Sequence, residues 1–282
     1  TGGSTHILVA DNDPLGSARS VVESHPGVRY EPVLTPGIAA VRSACLIGAT
    51  GDVLQFIDDD EQPETDWLST MVGCWLELGR PTALAGSVLA KFDTPPSLWI
   101  AAGRFFERNR PPTGTLLPVA PAGNLLLHLP EVRRLGVAFD DRLGLRGGED
   151  TLFTKQLTAA GGQIRFCRAG AIYDRVPEDR NTRQWGLRRA RHHGNTASVV
   201  ALWGMRGLRR WLTQGSLVMS GLGRFFAGLS VAAMGRVTGS AERNARGWRL
   251  AERGVGMLVG SVRQGPAEYE REEAQPVNGA RF

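Results

Sequence analysis

The sequence is poor in the features that mark secreted or zinc-stapled proteins. Its three cysteines, Cys45, Cys74 and Cys167, are far apart, odd in number and without paired ligand spacing. That excludes a disulfide framework, argues against a structural zinc site and predicts reduced thiols in a cytosolic setting. No signal peptide opens the chain: Thr1 stands first and the apolar run Ile7-Leu8-Val9-Ala10 follows almost at once, so the sequence reads as a fragment. Internal repeats are lacking, and so is a clean membrane span. Residues 216–237 are largely small and apolar, but Arg224 and several glycines interrupt them, and an arginine is costly at the centre of a spanning helix. The stretch reads instead as a helix lying in a membrane interface, with Arg206, Arg209, Arg210, Arg224 and Arg236 turned to lipid phosphates. Core helices of a globular subdomain are the competing reading, since an apolar stripe packs on protein as readily as on lipid.

What is present is enough to build a large core. The 282 residues, 42% hydrophobic, suggest one large domain or one domain with an appendage. The net charge of +5 is unevenly spread: residues 180–263 hold fifteen arginines, no lysine and two acids, so this tract carries +13 and the remainder −8. The acidic part and the basic part therefore meet different partners, the second an anionic surface. Nucleic acid is disfavoured, because the tract has no lysine and its aromatics are embedded in apolar runs.

Strand and helix signals alternate. Residues 6–10 read as a strand closed by the Asp11-Asn12-Asp13-Pro14 turn, residues 16–24 as a short helix and residues 28–34 as extended chain. After Pro36-Gly37, the spacing of Ile38, Val41, Cys45 and Leu46 fits a helix. Val53-Leu54-Gln55-Phe56-Ile57 reads as a strand buried on both faces, and residues 63–78 as a helix with Trp67, Met71 and Trp75 on its apolar side. Residues 83–92 form a further strand, residues 93–121 a long irregular connection suited to substrate loops, and residues 122–127 a strand opened by small residues. A helix over 149–160 is stopped by Gly161-Gly162, and a strand resumes over 163–167. The alternation predicts an α/β fold with a mainly parallel sheet flanked by helices, followed by a basic amphipathic helical region.

Three consecutive aspartates at a strand end repel one another, and a divalent cation relieves that repulsion. In extended chain Asp58 and Asp60 share a face while Asp59 points away. A hard cation, Mg²⁺ or Mn²⁺, takes such oxygen ligands together with diphosphate oxygens. A solvated acidic loop or a helix cap at residue 63 is the plainer alternative. The second cluster is Arg146-Gly147-Gly148-Glu149-Asp150, where two glycines permit a close approach and two acids open a helix; capping again is the competing explanation.

The order of these motifs resembles glycosyltransferase family 2, over about residues 6–196. The correspondence runs through Asp11-Asn12-Asp13, Gly37 with Val41-Arg42-Ser43, Gly51-Asp52, Asp58-Asp59-Asp60, Pro63 and Trp67-Leu68. The resemblance implies the nucleotide-sugar-binding GT-A fold, with Asp11 at the nucleobase, Arg42 on the nucleotide, Asp58 at the ribose or metal and Asp60 on the metal. It implies a general base at Asp150, with Glu149 binding the acceptor or orienting its loop, and places Gly123 and Asn124 beside sugar or acceptor. Where many relatives carry a metal-ligating histidine this chain has Asp174, an oxygen ligand or a partner of Arg175 or Arg180. Val41-Arg42-Ser43 keeps the family's arginine but loses its amide, which leaves donor preference open. The family also has an earlier strand, so this chain begins at what corresponds to the second one; a missing strand predicts weak nucleotide affinity and an exposed sheet edge.

The expected organisation is a GT-A-like catalytic domain over 1–178, Arg-rich helices over 179–263 and a flexible tail over 264–282. The expected activity is inverting transfer of a sugar from a UDP, dTDP or GDP donor to a lipid-linked, polysaccharide or other glycan acceptor, at the cytoplasmic face of the cell membrane. A nucleotidyltransferase and a catalytically decayed sugar-nucleotide-binding module are the alternatives. The former lacks support from any Gly-rich basic loop before the first strand.

Overall fold

The computed structural model describes residues 3–262, with backbone alone at Leu145 and Arg146. The tail expected over 264–282 lies outside the described residues. Glycine and proline punctuation cuts the first half into short elements: β1 (Ile7–Asp11), α1 (Arg19–Glu23), β2 (Val28–Pro32), α2 (Ile38–Gly48), β3 (Val53–Phe56) and β4 (Glu61–Pro63). Then follow α3 (Trp67–Glu77), β5 (Ala83–Phe92), α4 (Leu98–Gly103), β6 (Leu116–Leu117), β7 (Leu125–His128) and α5 (Leu129–Leu135). A 3-10 turn over Asp141–Arg146 leads into α6 (Glu149–Ala159) and the long β8 (Ile164–Val176). Three helices close the described chain: α7 (Arg183–Leu202), α8 (Gly207–Val237) and α9 (Ala241–Val262).

The α/β architecture stands, but the sheet is mixed, not mainly parallel. β1 and β2 pair in parallel as a small sheet of their own. The main sheet runs β3-β7-β5-β8-β4 with β6 also on β8, and within it β5–β8 alone is parallel. The alternation of strands and helices predicts helices on the faces, but strands joined by short or looping connections, such as β7 beside β3 and β5, are free to run antiparallel. β3 was expected to be buried on both faces; it sits at the end of the strand order among the described residues and is only half-buried before Phe56. β4 was not foreseen, and the helix expected over 63–78 starts at Trp67, after that strand. The irregular connection over 93–121 contains α4 and β6.

Side-chain alternation makes two cores. Leu125 and Leu127 face one layer with Phe56, Phe139, Phe153, Leu157 and Ile164, where the Phe139 and Phe153 rings stack at 4.1 Å. Leu126 and Leu84 face the other, against Trp67, Met71 and Trp75 of α3. At the centre β5 and β8 lose register between Gly86 and Ser87, which pair with Cys167 and Ala171. The Asn124 amide fills that irregularity: its nitrogen donates to the carbonyls of Ser87 (3.0 Å) and Gly170 (2.9 Å).

The basic helices are joined through glycine. A Cβ on Gly228 of α8 would sit 2.4 Å from the Ala251 nitrogen, and one on Gly256 of α9 would collide with the Arg191 carbonyl of α7. Gly228→Leu is expected to part α8 from α9 and lower stability by about 1–3 kcal/mol. Thermal unfolding followed by circular dichroism checks this, and an unchanged midpoint would show that the backbones do not approach so closely.

Candidate active site

At the end of β3 the backbone turns, with the Glu61 N–H donating to the Asp58 carbonyl (3.2 Å). The chain is thus not extended through the three aspartates, and the expected shared face of Asp58 and Asp60 is corrected. Asp58 meets the Arg42 guanidinium (3.2 Å), whereas Asp60 pairs with Arg180 (3.2 Å) from the start of the basic region.

Arg42, on α2, is the hub. Its guanidinium donates to Asp58 through Nη2 and to Glu149, at the first turn of α6, through Nη1. Arg42 and Glu149 are both buried, Glu149 to 2% exposure. Burial opposes the arginine's charge, but Glu149, then Asp58 and Asp150, outweigh it and hold the group above its ordinary value. Three sequence-distant candidates, Arg42, Asp58 and Glu149, therefore form one ion-paired cluster, with Asp150 adjacent.

The Asp150 carboxylate accepts from the Ala122 N–H at 3.4 Å and from the Thr151 hydroxyl at 3.1 Å. Its turn depends on Gly148, which has φ +89° and leaves no room for a Cβ, since one would lie 2.5 Å from Thr196 of α7. Gly123 is placed by a similar constraint: a Cβ there would stand 2.6 Å from a Glu61 carboxylate oxygen and 3.2 Å from Asp58.

Two expected contact residues have structural work in this structure. The Asn124 side chain, 1% exposed, accepts from Trp67 Nε1 (3.0 Å) and Gln55 Nε2 (3.3 Å) besides its two donations, so all its hydrogen-bonding capacity is used. That side chain locks the sheet and positions the neighbouring Gly123. Asp11 is likewise engaged, accepting from the N–H groups of Asp13 (2.9 Å) and Ala18 (3.1 Å) and from the Tyr30 hydroxyl (3.0 Å), which organises the turn after β1. Asp174 pairs with Arg108 (2.8 Å), not with Arg175 or Arg180. Arg108 also lines a cavity of about 440 Å³ beside β5 and α4.

Glu61 was missed by sequence reading. On β4 it stands opposite Asp174 of β8 and accepts from the Asp58 N–H (3.0 Å). Burial, with the nearby Asp58 and Asp174 charges adding to it, pushes its carboxyl up to about 7 although the Asp58 hydrogen bond and Arg108 oppose the rise. The only sequence signal was a fourth acid after the triplet; the pairing of a three-residue strand gives it meaning. At His193, on an exposed part of α7, partial desolvation and then the charges of Arg189, His192, Arg253 and Arg249 lower the imidazole's pKa and favour its neutral form.

Among the described residues no three His, Cys, Asp or Glu side chains converge to hold a metal ion. Asp58 and Asp60, both partly exposed, still offer the hard oxygen ligands that Mg²⁺ or Mn²⁺ prefers. Such an ion would take one or both, draw its remaining ligands from diphosphate and water, and compete with Arg180 for Asp60.

A family model described as glycosyl transferase family 2 matches residues 1–128. Succinoglycan biosynthesis protein ExoM of Rhizobium meliloti (strain 1021) is 33% identical over 220 residues, 72% of this chain and 67% of that protein. Among solved structures, S. aureus TarS 1-349 in complex with UDP-GlcNAc superposes with a TM-score of 0.51 at 12% identity, covering 88% of this chain and 81% of that one. A second S. aureus TarS structure gives 0.50 at 13% identity, covering 86% and 49%. At such identity these structures speak for the fold, a GT-A-type α/β arrangement.

Arg42→Ala leaves Glu149 buried without this cation and is expected to cost about 3–5 kcal/mol in chemical denaturation; a loss under 1 kcal/mol would mean the pair is solvated. For Glu61 the folded state holds its proton more tightly than the unfolded chain, whose ordinary value is 4.5. Its contribution is thus fully present below pH 4.5 and is lost as pH rises through about 7. Glu61→Gln should flatten that part of the stability profile, by roughly 3 kcal/mol at most, in metal-free buffer; parallel profiles for variant and wild type would refute the assignment.

Proposed function

Since the chain belongs to glycosyltransferase family 2 and is a glycosyltransferase, we propose that it moves a sugar, with inversion, from a nucleoside-diphosphate donor to a glycan acceptor. The observation that carries this reading is the Arg42 cluster, which ties the strand-end acids on the donor side to the turn that presents Asp150. Arg42 orients Asp58 and fixes Glu149 at the start of α6, so Asp150 is held on a rigid first turn and not on a loop. The acceptor hydroxyl gives its proton to the Asp150 carboxylate as its oxygen bonds to the anomeric carbon. The bond from that carbon to the diphosphate breaks, and its electron pair leaves with the nucleoside diphosphate.

Asp58 and Asp60 would hold Mg²⁺ or Mn²⁺, which would supply positive charge against the departing diphosphate. Asp11 serves the nucleobase end through the turn it organises, Gly123 gives backbone access beside Asp58, and Asp174 keeps Arg108 at the cavity edge. Arg180 releases Asp60 when the donor arrives. Residues 1–178 form the catalytic unit and residues 179–263 its helical platform. The UDP-GlcNAc bound by TarS and the polysaccharide role of ExoM support a sugar-nucleotide donor and an envelope or exported polysaccharide as product. A lipid-linked acceptor fits that role, with the enzyme peripheral on the cytoplasmic face of the membrane.

The test is a donor screen for UDP, dTDP or GDP release, with Mn²⁺ or Mg²⁺ and after chelation by EDTA. Asp150→Asn is expected to lower turnover about a hundredfold or more while leaving donor binding intact. Asp60→Ala should weaken donor binding and its dependence on the cation. Turnover indifferent to both substitutions would sink the mechanism, and donor binding without turnover by the wild type would point to the decayed binding module.

A further inference from the structure

The helix α8 has two apolar faces, and among the described residues nothing packs against one of them. At about 100° per residue, Gly221, Gly228, Ala232 and Gly235 fall on one side, and these are its buried positions, packed on α9. Leu208, Leu212, Met219, Phe226 and Val237 fall on the opposite side, within about 40° of one another by the same count. Leu208, Leu212, Met219 and Phe226 are 74, 67, 68 and 61% exposed. Arg209 and Arg236 lie on the two flanks of this stripe, and no acid occurs between residues 207 and 237. Trp211, also exposed, lies near the helix start on the flank that carries Arg236.

By length and composition α8 qualifies to cross a membrane. Its partner forbids that. α9 runs antiparallel along it, with Gly254 against Gly221, Gly247 against Gly228 and Asn244 against Gly235. α9 carries Arg243, Arg246, Arg249, Glu252 and Arg253, and its glycines 256 and 260 are clamped on Arg191 and Asn195 of α7. A spanning α8 would draw this charged pair of helices into hydrocarbon. A helix lying flat keeps α9 and α7 in water and leaves only the opposite stripe to bury.

We infer that α8 docks in the plane of an anionic bilayer, with the Leu208–Val237 stripe sunk to the acyl boundary and Arg209 and Arg236 on lipid phosphates. This deepens the peripheral placement proposed above and rests on it. The flanking arginines select the occupant: a second copy of the same face would bring cation against cation, whereas anionic headgroups meet both edges of the stripe at once.

Flotation of the full chain with vesicles of phosphatidylcholine, with and without phosphatidylglycerol, tests the inference. The wild type is expected to float with the phosphatidylglycerol vesicles and to be released by carbonate without detergent. The double variant Leu212→Glu/Phe226→Glu should bind about tenfold or more weakly, with unchanged circular dichroism because both side chains are exposed. Arg209→Glu/Arg236→Glu should lose the preference for phosphatidylglycerol. Failure of the wild type to float overturns the peripheral placement itself. Wild-type flotation that neither variant weakens overturns the role of α8 alone. Release only by detergent would establish a span, and a concentration-dependent dimer abolished by Leu212→Glu/Phe226→Glu, without vesicle binding, would give the face to a second copy; either result rejects in-plane docking.

Discussion

One buried guanidinium holds the site together. Arg42 arrives on α2, and its two terminal nitrogens reach carboxylates from two later and separate parts of the chain, Asp58 after β3 and Glu149 at the start of α6. The forked geometry suits arginine in a way a lysine ammonium cannot copy, because two separate acceptors are served in one plane. Neither burial is tolerable alone: the carboxylate of Glu149 needs the cation, and the cation needs both acids to offset its loss of water. The arrangement therefore fixes the distance between the acidic turn and the α6 turn.

A second constraint reaches the same turn from the other side. Gly148 admits Thr196 and Val200 of α7 against its backbone, α7 receives Gly256 and Gly260 of α9, and α9 receives Gly228 of α8. Each contact replaces side-chain volume by backbone proximity, so the helices stack with little freedom to slide. The basic region is thus no detached appendage, for its packing ends on the residue next to Glu149.

Much of this was legible in sequence. The small-residue turn running into Leu125-Leu126-Leu127 marked a strand, and the Gly161-Gly162 stop placed the end of α6. The order of acidic and arginine motifs led to the right family. Strand direction was not legible, because alternation of elements says nothing about whether a loop reverses the chain. Nor was the split of Asp58 from Asp60, which follows from a turn where extended chain was assumed. Glu61 stayed hidden because its meaning depends on a three-residue strand laid opposite Asp174. The structural role of Asn124 was not legible either: its amide joins Ser87 and Gly170 at an irregularity that only the paired strands create.

That amide bears on how the protein folds. β5 and β8 are parallel and join residues about eighty positions apart, as with Ala83 and Ile164, so their pairing carries a large loop-closure entropy cost. Beyond the irregularity at Gly86 the strand has to resume in the one register that sets Asp174 beside Glu61, and a slip by one residue would turn Ile172 out of the core. Asn124 satisfies Ser87 and Gly170 together only in the correct register. In another register those two carbonyls would lose their shared donor, so the amide favours the register in which the acids assemble.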